Sequence, residues 1–330
     1  MKLLVLSAAA VHELLGYPAC ADAMREVLAA RARGEVFQPL RSVLRPDGAA
    51  GLMALMPCYQ AGDNAGYGLK AICITPGNPA AGLDSHQGIV LLSSSRTGEP
   101  LALMNASAVT EIRTAAVSAV ATSLLARPDA DVLAIIGTGV QARAHLLAMA
   151  ATRQLAQVKV AGSSPAKAAA FAAGAARPGL PPVAACGSAR DAVDGAGIIV
   201  TATSSATPVL HRDWLAEGTH INAVGACLPH IREIDTGTMA AAGLYADSRE
   251  SVLAESGDYL IAAGAGAVGP VHIRAEIGDL LAGLAPGAGR RDQREITVFE
   301  SLGLAAEDLA AASAAYLAAS ERGAGAWIDF

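Results

Sequence analysis

The segment Asp131-Val132-Leu133-Ala134-Ile135-Ile136 runs without a break into Gly137-Thr138-Gly139-Val140-Gln141-Ala142 and then into an alanine-rich stretch. An apolar run closed by glycine reads as a strand buried on both faces, and the residues after it read as a helix. In that context G-x-G-x-x-A is a phosphate cradle. Gly137 permits the tight turn, Gly139 lets backbone approach a pyrophosphate, and Ala142 lets the helix pack closely, while the unpaired N–H groups at the helix start attract the anion. The plainer reading is an ordinary strand-to-helix turn, and the combination of strand, turn and helix tells against it.

The same rhythm continues downstream. Apolar runs at 132–136, 158–161, 198–202 and 220–224 alternate with alanine-rich helical stretches, which indicates βαβ units around a parallel sheet. Over 1–110 the pattern differs, because short apolar runs are broken by Arg45-Pro46-Asp47-Gly48, Gly62-Asp63-Asn64, Pro76-Gly77-Asn78-Pro79 and Thr97-Gly98-Glu99-Pro100. These turns predict a largely antiparallel sheet with one early helix near 21–32. After Ser301 a last helix, spaced by Leu304, Leu309 and Tyr316, is expected to return to the first domain. The expected class is α/β, with a Rossmann-type parallel-sheet domain over 115–303 and a smaller α/β domain made from 1–114 plus 304–330. At 330 residues, 53% of them hydrophobic, the chain is long enough for two cores.

Past the second strand of the parallel sheet, an NAD enzyme usually carries Asp or Glu for the ribose 2′-OH. Here the residues are Gly162-Ser163-Ser164-Pro165-Ala166-Lys167, two hydroxyls and a lysine with no carboxylate to repel a 2′-phosphate. NADP(H) is favoured over NAD(H). A net charge of -6 argues against a nucleic-acid partner. The mean hydropathy of +0.39 owes much to alanine, and with no run of about 18 residues apolar throughout, no membrane partner is expected. The five scattered cysteines suggest neither a disulfide framework nor a zinc knuckle, the seven histidines show no ligand spacing, and no metal is expected. Lys2 followed by Leu3 to Val11 has the outline of a short signal peptide, but its strongly apolar part is only Leu3 to Leu6 and His12 and Glu13 end the run. A first strand followed by a helix and a cytoplasmic location are expected.

Gln38-Pro39-Leu40-Arg41, Met56-Pro57, Gly68-Leu69-Lys70, Thr110-Glu111-Ile112-Arg113-Thr114-Ala115-Ala116, the glycine turn, Thr201-Ala202-Thr203-Ser204, Ala223-Val224-Gly225-Ala226 and Ile296-Thr297-Val298-Phe299-Glu300-Ser301-Leu302-Gly303 follow one another along the chain. Together they resemble the ornithine cyclodeaminase/mu-crystallin family of NAD(P)-dependent enzymes. The resemblance implies a homodimer paired through the smaller domain. It makes Arg41 and Arg113 the clamp on a small amino-acid-derived carboxylate, and Lys70 the catalytic group nearest the reacting nitrogen. Guanidinium forks and a shielded lysine suit those tasks. Without the resemblance, Arg41 reads as part of a basic face with Arg31, Arg33 and Arg45, Lys70 as a surface lysine and Arg113 as a helix-start residue.

By the same transfer Arg113, Thr114, Val140, Gln141, Thr203, Ser204, Val224 and Gly225 line the dinucleotide, with Ser85 and Ser301 as lesser contacts. Thr201 stands at a strand's carboxyl end, where an open parallel sheet holds its ligand. One position departs from the pattern: Cys227 stands where cyclodeaminase-type members carry an Asp that assists ammonia loss. A thiol lacks that charge, so the sequence is more similar to the ketimine-reductase branch, with Cys227 as a small substrate-pocket residue. His230, Arg232 and Glu233 read as a polar rim or a surface turn, and Asp247 and Asp258 as caps or turns. The implied reaction is reduction of a small cyclic ketimine carboxylate. Ornithine cyclodeaminase, alanine-type dehydrogenase and non-enzymatic NADPH-dependent ligand binding are the alternatives.

Overall fold

The computed structural model describes residues 2–330, which form two compact units, residues 2–113 with 303–330 and residues 114–302. Along the chain the first unit contributes β1 (Lys2–Leu6), α1 (Ala8–Leu14), α2 (Tyr17–Ala32), β2 (Val36–Phe37), β3 (Ser42–Leu44), β4 (Leu52–Gln60), β5 (Gly66–Ile74), β6 (His86–Ser94) and β7 (Pro100–Asn105). Helix α3 (Ala106–Leu125) carries the chain into the second unit. There follow β8 (Val132–Ile136), α4 (Val140–Thr152), β9 (Gln157–Ala161), α5 (Pro165–Ala175), β10 (Val183–Ala185), α6 (Ala189–Val193), β11 (Ile198–Thr201), β12 (His220–Ala223), α7 (Thr236–Ala241), β13 (Gly243–Ala246), α8 (Arg249–Glu255), α9 (Gly257–Gly264), β14 (Ile273–Glu276), α10 (Ile277–Leu281) and β15 (Thr297–Glu300). The first unit is completed by α11 (Ala305–Arg322) and β16 (Ala326–Asp329).

In the first unit the sheet runs β16-β1-β7-β6-β5-β4-β2, with β3 also paired to β4, and all neighbours are antiparallel except β1 and β7. Period-2 alternation decides its faces. On β4, Leu52, Ala54, Met56 and Cys58 are buried while Met53, Leu55 and Pro57 point outward. The buried side is covered by α11. A Cβ on Gly68 would lie only 3.0 Å from Leu309 Cβ, so the glycine lets this helix settle onto β5. The early helix begins at Tyr17 rather than near 21, because Gly16 caps it and Pro18, whose missing N–H costs nothing in a first turn, starts it.

The second unit holds a parallel sheet ordered β10-β9-β8-β11-β12-β15-β13-β14. Its central strands β11 and β12 are buried at every position, as strands covered on both faces must be. Order reverses between β8 and β11, the switch point where such sheets hold ligands. Helix α3 is long and apolar enough to cross a membrane by length and composition, yet 78% of its apolar stretch is buried inside the protein.

Candidate active site

Gly137 closes β8 with a φ of 129°, and a Cβ there would lie 2.3 Å from the Ala202 carbonyl oxygen. Only glycine fits this turn, which is wedged against the end of β11. Gly139 caps α4 in an extended conformation, and a Cβ on it would meet nothing within 4 Å. A bare backbone under open space at a helix N-terminus fits a phosphate. Val140 and Gln141 start that helix, and Ala142 is fully buried beneath it. His145, one turn on, belongs to the core, its ring nitrogens 2.7 Å from the Gln141 carbonyl oxygen and 2.9 Å from Ser118 Oγ. Burial pushes its pKa down to about 4.

At the end of β9, Ser164 Oγ accepts the Lys167 N–H at 3.3 Å, and Lys167 Nζ donates to Ser163 Oγ at 3.1 Å. A Cβ on Gly162 would sit 2.8 Å from Thr138 Cγ2, so this turn abuts the glycine turn. Next along the sheet, Val224 N–H donates to the Thr201 carbonyl oxygen at 3.0 Å and Ser301 N–H to that of Ala223 at 2.9 Å. The Ser301 hydroxyl is buried with no protein partner among the described residues. Thr203 and Gly225 donate their N–H groups to one carboxylate, that of Glu233, and Ser204 follows them into solvent. Glu233 is thus not part of a polar rim or surface turn: it is completely buried, and the two backbone donors offset part of the cost of burying its carboxylate. Cys227 is half-buried and packs on the unit's core. These residues fit a dinucleotide.

In the first unit, Lys70 lies on β5 between Met56 and Val90, on the face covered by α11. Its Nζ is 2.7 Å from Asp308 Oδ2 and 3.4 Å from Thr110 Oγ1. Arg113 on α3 donates from Nε to Asp308 Oδ1 at 3.0 Å and from Nη1 to Glu307 Oε2 at 2.7 Å. All four charged side chains are buried. Burial pushes the Lys70 pKa down to about 8; Asp308 opposes this, and Arg113 and Arg41 add to it. Arg41, just before β3, donates to the Gly303 carbonyl oxygen at 3.2 Å, and Gln38 Oε1 accepts the Ala306 N–H at 2.8 Å. Gly303 has a φ of 81°, and a Cβ there would strike the Arg113 guanidinium at 2.5 Å. Thr114 is the buried residue after Arg113. Ser85 belongs to this unit too, its hydroxyl 2.9 Å from His86 Nδ1.

Arg41, Lys70 and Arg113 therefore gather around the first turn of α11. The two acids that organise them, Glu307 and Asp308, carry no motif. Their only sequence signal is a charged pair at the start of an otherwise alanine-rich helix.

A profile of the ornithine cyclodeaminase/mu-crystallin family matches residues 1–323. The chain belongs to that family. Among its relatives, mouse (Mus musculus) ketimine reductase mu-crystallin is 38% identical over 86% of this chain and 85% of its own. A Bacillus cereus Δ1-pyrroline-2-carboxylate reductase is 38% identical over 97% of this chain and 96% of its own. Among solved structures, Thermococcus litoralis Δ1-pyrroline-2-carboxylate reductase in complex with NADH and L-proline superposes with a TM-score of 0.93 at 36% identity, covering 98% of this chain and 99% of that one. An archaeal alanine dehydrogenase dimer with bound NAD gives 0.92 at 32% identity, with full coverage of both chains. This family member is an NAD(P)-dependent oxidoreductase of mixed α/β fold.

Proposed function

We propose that the protein reduces a small cyclic ketimine carboxylate, Δ1-pyrroline-2-carboxylate or Δ1-piperideine-2-carboxylate, to L-proline or L-pipecolate. The observation that carries this is the cluster around α11, where three cations, Arg41, Lys70 and Arg113, face two carboxylates, Glu307 and Asp308. Guanidinium and ammonium groups gathered at one point suit a substrate carboxylate. The relatives that reduce pyrroline-2-carboxylate or ketimines support the reading.

Bound NAD(P)H would supply a hydride for the C=N carbon, held by the glycine cradle, the Thr201 to Ser204 crest, Val224 and Gly225. Arg41 and Arg113 hold the carboxylate through guanidinium N–H groups, which fixes the ring orientation. Lys70 delivers a proton to the imine nitrogen, and Asp308 keeps its ammonium aimed. Cys227 brings no carboxylate for ammonia loss, which favours reduction over ornithine cyclisation. Run backwards, bound NAD(P)+ would take a hydride from an amino acid while Lys70 accepted the proton from its nitrogen, in keeping with the name of the archaeal alanine dehydrogenase.

With Δ1-pyrroline-2-carboxylate or Δ1-piperideine-2-carboxylate, purified protein is expected to consume NADPH, and NADH more slowly, because Ser163, Ser164 and Lys167 suit a 2′-phosphate. Faster release of ammonia and proline from L-ornithine with NAD would overturn this reading. Ligand binding without turnover would replace it with a carrier.

We further propose a homodimer through the uncovered face of the first unit's sheet. Phe37, Pro39, Pro57, Tyr59, Tyr67 and Leu69 line an apolar groove of about 370 Å³ there, and Phe37 is 73% exposed. An apolar face of this extent marks an interface. Leu55→Asp, which puts a charge on it, is expected to convert a dimer to monomer in sedimentation analysis; an unchanged dimer would place the interface elsewhere.

A further inference from the structure

Thr203 and Gly225 sit just past the ends of β11 and β12, on the crest that faces the dinucleotide. Their N–H groups donate to separate oxygens of Glu233, at 2.5 Å to Oε1 and 2.7 Å to Oε2. Between the two loops there is no room for even a methyl group. A Cβ on Gly225 would lie 2.1 Å from the Thr203 carbonyl oxygen and 2.6 Å from Glu233 Oε2. The backbone that carries this carboxylate is itself held in place. The N–H groups of Glu233 and Ile234 both donate to Asp258 Oδ1 at 2.8 Å, and the Glu233 carbonyl oxygen accepts from Val209 and Leu210 at 2.8 and 3.0 Å.

From this geometry we infer that Glu233 is a positioning residue for the cofactor, clamping the ends of β11 and β12 at the spacing the dinucleotide requires. The inference rests on the dinucleotide-binding reading of this crest and not on the identity of the substrate.

A requirement of folding alone would not select this arrangement. Glu233, Asp258 and Glu300 are all buried and none forms a salt bridge with a Lys, Arg or His among the described residues. Burial drives the pKa of each upward, that of Asp258 to about 7. Buried carboxylates without a cation oppose folding, so a neutral side chain would serve stability better. What a neutral amide cannot do is accept an N–H with each of its two terminal atoms.

Glu233→Gln makes that distinction measurable. Its shape is nearly conserved, but its amide NH2 must face one of the two backbone donors, so the loops separate. The expected result is a Tm of the apo protein equal to or above wild type, with the Kd for NADPH, read by fluorescence titration, raised at least tenfold. At saturating NADPH the KM for the imine should stay close to wild type. A lowered Tm with an unchanged Kd is the signature of a merely structural role and would overturn the inference. Gly225→Ala opens the same crest by a different atom and is expected to raise the Kd as well; an unchanged Kd in that variant would overturn the clamp even if Glu233→Gln failed to fold. A wild-type protein that bound neither NADPH nor NADH would overturn the dinucleotide reading and this inference with it.

Discussion

Lys70→Ala is expected to lower kcat for imine reduction by about 10²- to 10⁴-fold, the usual loss when a positioned general acid is removed, while NADPH binding is retained. The reason lies in where β5 puts this lysine. Alternation along the strand turns Lys70 to the covered face, so its ammonium is shielded from water and lies 2.7 Å from Asp308. Shielding brings its pKa down to about 8, close enough to neutrality for it to give up a proton readily and still carry one at pH 7. Lys70→Arg separates the two properties: it keeps the charge but holds its proton too tightly to donate. Imine binding is therefore expected to survive in Lys70→Arg while turnover is lost. Full activity in either variant would remove Lys70 from the mechanism, and fluorescence titration with NADPH checks that the protein is folded.

Strands of the parallel sheet were legible because burial on both faces forces unbroken apolar runs. Ile135 and Ile136 before Gly137 leave little choice but a buried strand meeting a tight turn. The antiparallel sheet was legible for a different reason, since each reversal needs turn residues such as Asp63 and Asn64. What no local pattern revealed were the buried acids. Glu307 and Asp308 occupy the first turn of α11, where acidic residues ordinarily offset the helix dipole in solvent. Only the approach of β5 and α3 turns them into partners for Lys70 and Arg113. Glu233 likewise stands beside His230 and Arg232 in what reads as a polar turn, and its burial follows from Thr203 and Gly225 arriving from distant strand ends. Helix α2 starts at Tyr17, ahead of the expected 21, because Pro18 serves as a helix opener in its first turn.

Asp308→Asn should move the pH dependence of imine reduction as well as its rate. Because the donor must be protonated, kcat/KM in the wild type is expected to hold below about pH 8 and to fall tenfold per unit above it, as Lys70 loses its proton. Asp308 is the charge that favours the ammonium, whereas Arg113 and Arg41 disfavour it. Taking away the anion leaves burial and two guanidinium groups acting in the same direction, so the lysine sheds its proton at lower pH. Removal of an opposite charge at this range shifts a pKa by about one to three units. The limb should therefore move toward acid by that amount, with about a 10- to 1000-fold loss on the alkaline side. Glu307→Gln provides the contrast. Its carboxylate bonds Arg113 Nη1 and the Leu304 N–H, so its loss should raise the imine KM and leave the limb in place. A limb that stayed near 8 in Asp308→Asn would mean that the titrating group is not Lys70, and the proton would then have to come from elsewhere in the site.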